Sequence, residues 1–302
     1  MLASHEKQGL HGGVNSCILT LNYPAENRQH RSVTLFIKAA ANPETAEAQK
    51  YQFLSTHGIP TPRLLATVHR DGVEIIVLEF LPTIGIDFHS NREVGDLLDL
   101  AAQLNAIQEP MDFIKPVAQD SQSESAATFD AGVMAALVEL SHDSTVSVNI
   151  DVRRWFEAYQ LAQQAYHTMP LAITHGQFFF QQVGWAPRDA GSQLVLFDLE
   201  TMSLRPRFTD IQSVLQALSR FTRRSQTELF EIYYERLCQL NSCESNIDEA
   251  FRELRLVRIT ESCYSLQWLV AEMKQPDFVG FSDILAMTLD CLSDDLATLG
   301  FA

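Results

Sequence analysis

The stretch His175-Gly176-Gln177-Phe178-Phe179-Phe180-Gln181-Gln182, followed by the apolar run Leu194 to Phe197 and then Asp198-Leu199-Glu200, decides how this chain is read. Two carboxylates placed directly after an apolar strand (LVLFDLE) offer hard oxygen ligands of the kind Mg2+ takes. The same two residues also suit an acidic cap on a strand end. The segment upstream begins with a His-Gly pair and ends in two glutamines, with three phenylalanines between them.

Working outward, two further segments carry polar residues in an apolar setting. Thr34-Leu35-Phe36-Ile37-Lys38 ends an apolar strand on a lysine. A lysine there pairs with phosphates if its head faces a cleft, and it then needs a carboxylate to hold it; Glu44 and Glu47 lie on the next helix. The other reading is an edge lysine that discourages strand-to-strand aggregation. Gly12-Gly13-Val14-Asn15-Ser16 precedes a strand. Glycines let a backbone turn tightly and bring its amide hydrogens close to phosphate oxygens, and they equally make a plain hairpin turn.

The remaining pattern places these segments. Over the first 80 or so residues the order reads three strands, a helix and two strands. Cys17 to Asn22 and Ser32 to Ala39 flank a polar turn with Pro24, Asn27 and Arg28. Asn42-Pro43-Glu44 opens the helix, which ends at Gly58 before Pro60 and Pro62. Arg63 to His69 and Val73 to Phe80 form strands joined through Asp71-Gly72. From Ser90 the chain turns helical, with Val94, Leu97, Leu98, Ala101, Leu104 and Ile107 at helical spacing. Residues 117–128 read as a polar surface loop, and helices resume at 129–142 and 150–167. A mostly β island fills 171–200, and helices occupy most of 207–302.

Together these residues resemble the aminoglycoside phosphotransferase and choline kinase family, over roughly residues 10–215 and in the family's order. The resemblance implies an α+β, bilobal protein-kinase-like fold: an antiparallel-sheet, nucleotide-binding N-lobe over 1–82 and a helical C-lobe over 83–302 that contains the catalytic-loop β insert. It also implies roles. Gly12, Gly13, Asn15 and Ser16 resemble the nucleotide loop. Lys38 resembles the phosphate-pairing lysine, with Glu47 (or Glu44) orienting it. Glu79, Phe80 and Leu81 resemble the hinge that receives adenine. His175 and Gln177 fall in the catalytic loop, and Asp198, Gln182 and Glu200 at the metal. Asp210 resembles a later structural aspartate. ATP and Mg2+ are the implied cofactors, and a small hydroxyl compound is the implied acceptor.

The departures fall where the chemistry would occur. The catalytic-loop aspartate of the family is Gln177 here, its histidine is Phe179, and its metal-binding asparagine is Gln182. A carboxylate at position 177 would accept the proton of the substrate hydroxyl, which an uncharged amide does not do at neutral pH. Such assistance is worth about 10²–10⁴-fold in rate. The expectation is therefore a pseudokinase-like protein that binds ATP–Mg2+ and transfers phosphate slowly or not at all. The alternatives are an active small-molecule kinase with an unconventional site, or a transferase running another reaction of ATP in the same cleft.

Composition narrows the partners. With 38 acidic residues against 22 basic ones the formal net charge is −16, which argues against broad binding to nucleic acid or an anionic membrane. The five cysteines are scattered and odd in number, so a disulfide framework is not expected. No secretory segment opens the sequence and no apolar run is long enough for a membrane span. The expectation is a reduced, cytoplasmic protein of unassigned oligomeric state. Trp155, Tyr159, Trp185 and Trp268 are available for a cationic ligand, but nothing places them together and core packing is the expected role of each; Arg220, Arg223 and Arg224 form a basic cluster on a predicted helix, read as a solvated face first and an anion site second.

Overall fold

A computed structural model of the chain describes residues 2–9, 15–24, 30–40, 46–109, 113–114, 124–242, 246–274 and 282–301. Its elements run β1 (Leu2–Gly9), β2 (Asn15–Pro24), β3 (His30–Ala40), α1 (Glu47–Thr56), β4 (Leu64–Arg70), β5 (Val73–Glu79), β6 (Thr83–Ile84) and α2 (Asn91–Asn105). There follow α3 (Glu124–His142), α4 (Val152–Tyr166), β7 (Leu171–Thr174), β8 (Val183–Arg188), β9 (Gly191–Leu196) and β10 (Ser203–Pro206). The helices α5 (Thr209–Phe221), α6 (Gln226–Asn241), α7 (Ile247–Glu272) and α8 (Ser282–Thr298) complete the chain. The protein is α+β, with an antiparallel sheet in its N-terminal part and helices dominating its C-terminal part.

Two compact units are present. The first comprises Met1–Ile114, Ile173–Ser203 and Ser213–Cys243. Its five-stranded sheet has the order β1-β2-β3-β5-β4, every neighbouring pair antiparallel. Lys38 therefore sits on the middle strand, opposite Ser16 of β2 and Ile76 of β5, and the edge-lysine reading falls away. The β4–β5 hairpin turns through Asp71 and Gly72, both at positive φ (52° and 76°), the combination a tight two-residue hairpin requires. One face of β5 buries Glu74, Ile76 and Leu78. The Ala48 amide of α1 donates to the Glu74 carboxylate at 3.5 Å.

Elsewhere in this unit, α2 starts where Ser90 accepts a hydrogen bond from the Glu93 amide, a regular N-cap that satisfies one of the helix's free donors. It packs on α6, with Tyr233 Oη donating to Asn105 Oδ1 at 2.6 Å. The β8–β9 hairpin pairs with β6 in a three-stranded sheet. The second unit comprises Lys115–Ala172, Leu204–Gln212 and Glu244–Ala302. There α3, α4, α7 and α8 close around Val133, Leu137, Trp155, Tyr159, Leu266 and Leu289.

Two expectations change. Residues 124–128 are the first turns of α3 and not a loop: Ala126 and Ala127 are strong helix formers, and polarity alone does not oppose a helix. Arg223 and Arg224 lie past the end of α5, so Arg220 is the helical member of that cluster. Trp155 and Tyr159 are core residues of the helical unit. The turn at Asn27 and Arg28, the helix opening at 42–44, and Cys243 lie outside the described residues.

Candidate active site

A cluster inside the first unit, built on the buried Lys38 and Glu47, gathers four of the sequence-predicted residues. Lys38 Nζ lies 2.9 Å from Glu47 Oε2, 2.5 Å from Asp198 Oδ1 and 3.3 Å from Glu200 Oε2. Burial works against the Lys38 ammonium. Attraction to Glu47 and Asp198, with hydrogen bonds to both, outweighs it and holds the pKa above the usual lysine range. Burial pushes the Glu47 carboxyl up, with Lys38 pulling the other way.

The acidic turn is shaped by its backbone. Asp198 adopts φ 65° and ψ 57°, a left-handed conformation that few non-glycine residues accept and that aspartate tolerates better than most. Three side chains of α1 hold it there. The Asp198 amide donates to Tyr51 Oη at 3.0 Å, and the Leu199 amide donates to Glu47 Oε1 at 3.2 Å. Lys50 Nζ donates to the carbonyls of Leu199 and Glu200 at 3.0 and 2.6 Å. Burial pulls the Lys50 ammonium down to about 8. Sequence reading placed Tyr51 among the apolar contacts of this helix, and it is buried, but it missed Lys50 and the bond to the Tyr51 hydroxyl. The available signal was a lysine among the buried positions Tyr51, Phe53 and Leu54.

The His-Gly segment clasps the same turn. His175 is fully buried, with Nε2 2.8 Å from the Phe197 carbonyl and Nδ1 accepting the Gln177 amide at 3.3 Å. Both ring nitrogens thus meet backbone, as in a group that holds a loop in place. Thr201 Oγ1 donates to the His175 carbonyl at 2.8 Å. Gly176 has φ +85°, and a Cβ there would meet the Thr201 carbonyl oxygen at 2.6 Å, so glycine is demanded by both backbone angle and space. Gln177 is exposed just beyond. The phenylalanine run divides: Phe178 is fully buried, Phe179 is exposed, and Phe180 meets the Phe88 ring edge-on at 4.9 Å.

Gln182 accepts the Phe197 amide through its backbone carbonyl at 3.0 Å, one residue from Asp198. Its side-chain Oε1 is buried and has no hydrogen-bond partner among the described residues. An orphaned buried oxygen on Gln182, whose backbone meets Phe197, and the two part-exposed carboxylates of Asp198 and Glu200 are of the oxygen-ligand chemistry that Mg2+ takes. Among the described residues no group of three His, Cys, Asp or Glu side chains could hold a metal by itself.

At the end of β5, the Glu79 amide donates to the Arg63 carbonyl at 3.0 Å. The Glu79 carboxylate receives Arg188 Nη1 at 2.7 and 2.9 Å, an anchor that sequence reading did not foresee. Phe80 and Leu81 follow, Leu81 packing with Ala186 and Val195. Asn15 opens β2, and Ser16 is buried. Gly12, Gly13 and Glu44 lie outside the described residues.

Comparison with known proteins agrees with this fold. The chain is similar in structure to the choline kinase of Cryptosporidium parvum Iowa II, with a TM-score of 0.60 at 10% identity over 99% of this chain and 91% of that one. It is similar to an aminoglycoside phosphotransferase from Alicyclobacillus acidocaldarius, with a TM-score of 0.57 at 12% identity over 97% and 91%. A spectinomycin phosphotransferase solved in complex with ADP and spectinomycin gives 0.55 at 11% identity over 97% and 88%. Among curated proteins none matches this sequence. The family profile described as the phosphotransferase enzyme family matches residues 26–254, and the chain belongs to that family.

Proposed function

We propose that this protein binds ATP with Mg2+ at the Lys38 cluster and transfers phosphate to a small hydroxyl compound slowly or not at all. The observation that carries the reading is the grouping of Lys38 with Glu47, Asp198 and Glu200 beside a loop whose exposed residue 177 is an amide. Three carboxylates outnumber the two ammonium groups of Lys38 and Lys50, which leaves the cluster negative and suited to a divalent cation. Asp198 and Gln182 would hold the metal, with Glu200 beside them. When bound, Mg2+ supplies charge neutralisation for the transferring phosphoryl group.

The chain's own residues do the rest. Lys38 pairs with phosphate oxygens, and Glu47 keeps its ammonium aimed. The backbone at Phe80 and Leu81 receives the adenine, within an N-terminal nucleotide-binding region over 1–82, and Asn15 and Ser16 border the phosphates together with Gly12 and Gly13. Gln177 hydrogen-bonds an acceptor hydroxyl without removing its proton. The net charge of −16 supports a small-molecule partner over nucleic acid or a membrane surface, and no helix among the described residues is long and apolar enough to cross a membrane. A reduced cytoplasmic setting suits five cysteines that are few, scattered and odd in number.

Calorimetric titration of ATP with and without Mg2+, followed by turnover assays on a panel of hydroxyl acceptors, tests this reading. Binding that strengthens with Mg2+, and residual transfer that rises by up to about 10²–10⁴-fold in Gln177→Asp, is the expected result. Fast wild-type transfer with no gain in Gln177→Asp overturns the impaired-transfer reading. Absence of ATP binding overturns the whole of it.

A further inference from the structure

Four backbone hydrogen-bonding groups of the acidic turn end on one helix. Tyr51 and Glu47 accept the Asp198 and Leu199 amides, and Lys50 donates to the Leu199 and Glu200 carbonyls. Positions 47, 50 and 51 are i, i+3 and i+4, a single face of α1. Within this face Lys50 is the unexpected member. It is 4% exposed, and it directs its ammonium at two carbonyls and not at a carboxylate. A buried charge is costly unless strongly bonded, and an apolar side chain of similar volume would fill the space at lower cost. What methionine or leucine could not do is fix the direction of two successive carbonyls, because neither has a donor.

Those carbonyls determine where the turn's side chains face. With Asp198 in the left-handed region, its carboxylate and that of Glu200 are brought to the same ammonium, Lys38 Nζ. Rotation of the Leu199 or Glu200 peptide would swing one of them away. We propose that Lys50 is a positioning residue, whose ammonium locks the acidic turn to α1 so that Asp198 and Glu200 are presented together to the metal of a bound nucleotide. This rests on the ATP–Mg2+ reading of the site for its consequence, but the lock itself does not.

Two measurements on Lys50→Met and Lys50→Arg separate these. The first is amide hydrogen exchange of the full chain without ligand. In Lys50→Met, which loses two charge-assisted hydrogen bonds, the Asp198 and Leu199 amides exchange at least about tenfold faster, while β5 is unchanged and Lys50→Arg stays near wild type. The second is ATP affinity with and without Mg2+. The gain in ATP affinity that Mg2+ brings falls by about tenfold in Lys50→Met, with partial rescue in Lys50→Arg. Unchanged exchange at 198–199, or an equal loss of ATP affinity with and without Mg2+, overturns the proposal. If wild type binds no ATP, the functional reading fails and exchange alone decides the lock. If Lys50→Met does not fold, Lys50→Gln, neutral but still a donor, is judged by the same two readouts.

Discussion

At the scale of single residues, the decisive feature is an ammonium surrounded by carboxylates with little water to share. Replacing Lys38 by Met leaves Glu47, 1% exposed on its side chain, without its counter-charge. Breaking a buried pair in this way costs about 3–5 kcal/mol. The loss depends on pH, and the sign follows from the shifts. In wild type the raised Lys38 value contributes stability that is complete below the ordinary lysine pKa and fades as pH climbs through the raised one. In Lys38→Met, the Glu47 carboxyl is already raised by burial and loses the attraction that opposed the rise. A carboxyl titrating higher when folded than unfolded favours folding in acid and loses that contribution as pH rises through the folded value. The deficit of Lys38→Met relative to wild type is therefore larger near pH 8 than near pH 5, readable as the difference in Tm between the two proteins at each pH.

At the scale of elements, short segments hold one another where the sequence shows a motif only on one side. Gly176→Ala combines left-handed strain with a contact on the Thr201 carbonyl. It should cost about 2–4 kcal/mol, measured by chemical denaturation. A shift in midpoint with unchanged slope would mark it as a local effect. The His175-Gly176 pair was legible through its likeness to the start of the family's catalytic loop, and the structure supplies its physical basis: a turn that demands glycine and an imidazole with two backbone partners. The strand carrying Lys38 was legible from its apolar run, and the fold class from the order of strands and helices. Lys50 and Arg188 were not legible in their roles. Arg188 meets Glu79 across 109 positions, and nothing local to a hairpin end announces so remote a partner. Lys50 reads as an ordinary polar helix residue until the turn it holds is in place. The start of α3 was missed for a different reason: polar residues favour loops on average, yet Ala126 and Ala127 favour a helix, and composition alone ranks the two poorly.

At the scale of the whole molecule, the candidate site belongs to one unit. Lys38, Glu47, Lys50, Tyr51, His175, Gln177, Gln182, Asp198 and Glu200 all lie in the first, and the helical core around Leu266 lies in the second. Leu266→Ala should lower stability by about 2–5 kcal/mol through the cavity it leaves. It should leave ATP affinity unchanged when measured well below the melting transition, by calorimetry on the folded variant.

The first unit is also discontinuous, assembled from three stretches of chain, and Lys38 and Asp198 stand 160 positions apart. Synthesis at roughly 5–20 residues per second separates their emergence by about 10–30 s. For that interval a nascent chain carries Lys38 with Glu47 to answer it and no acidic turn for Lys50 and Tyr51 to hold. A helix face evolved to be covered is then open, on a sheet whose last supports are still inside the ribosome. Translation that stops before residue 198 yields the five-stranded sheet and α1 but no acidic turn, and so no site.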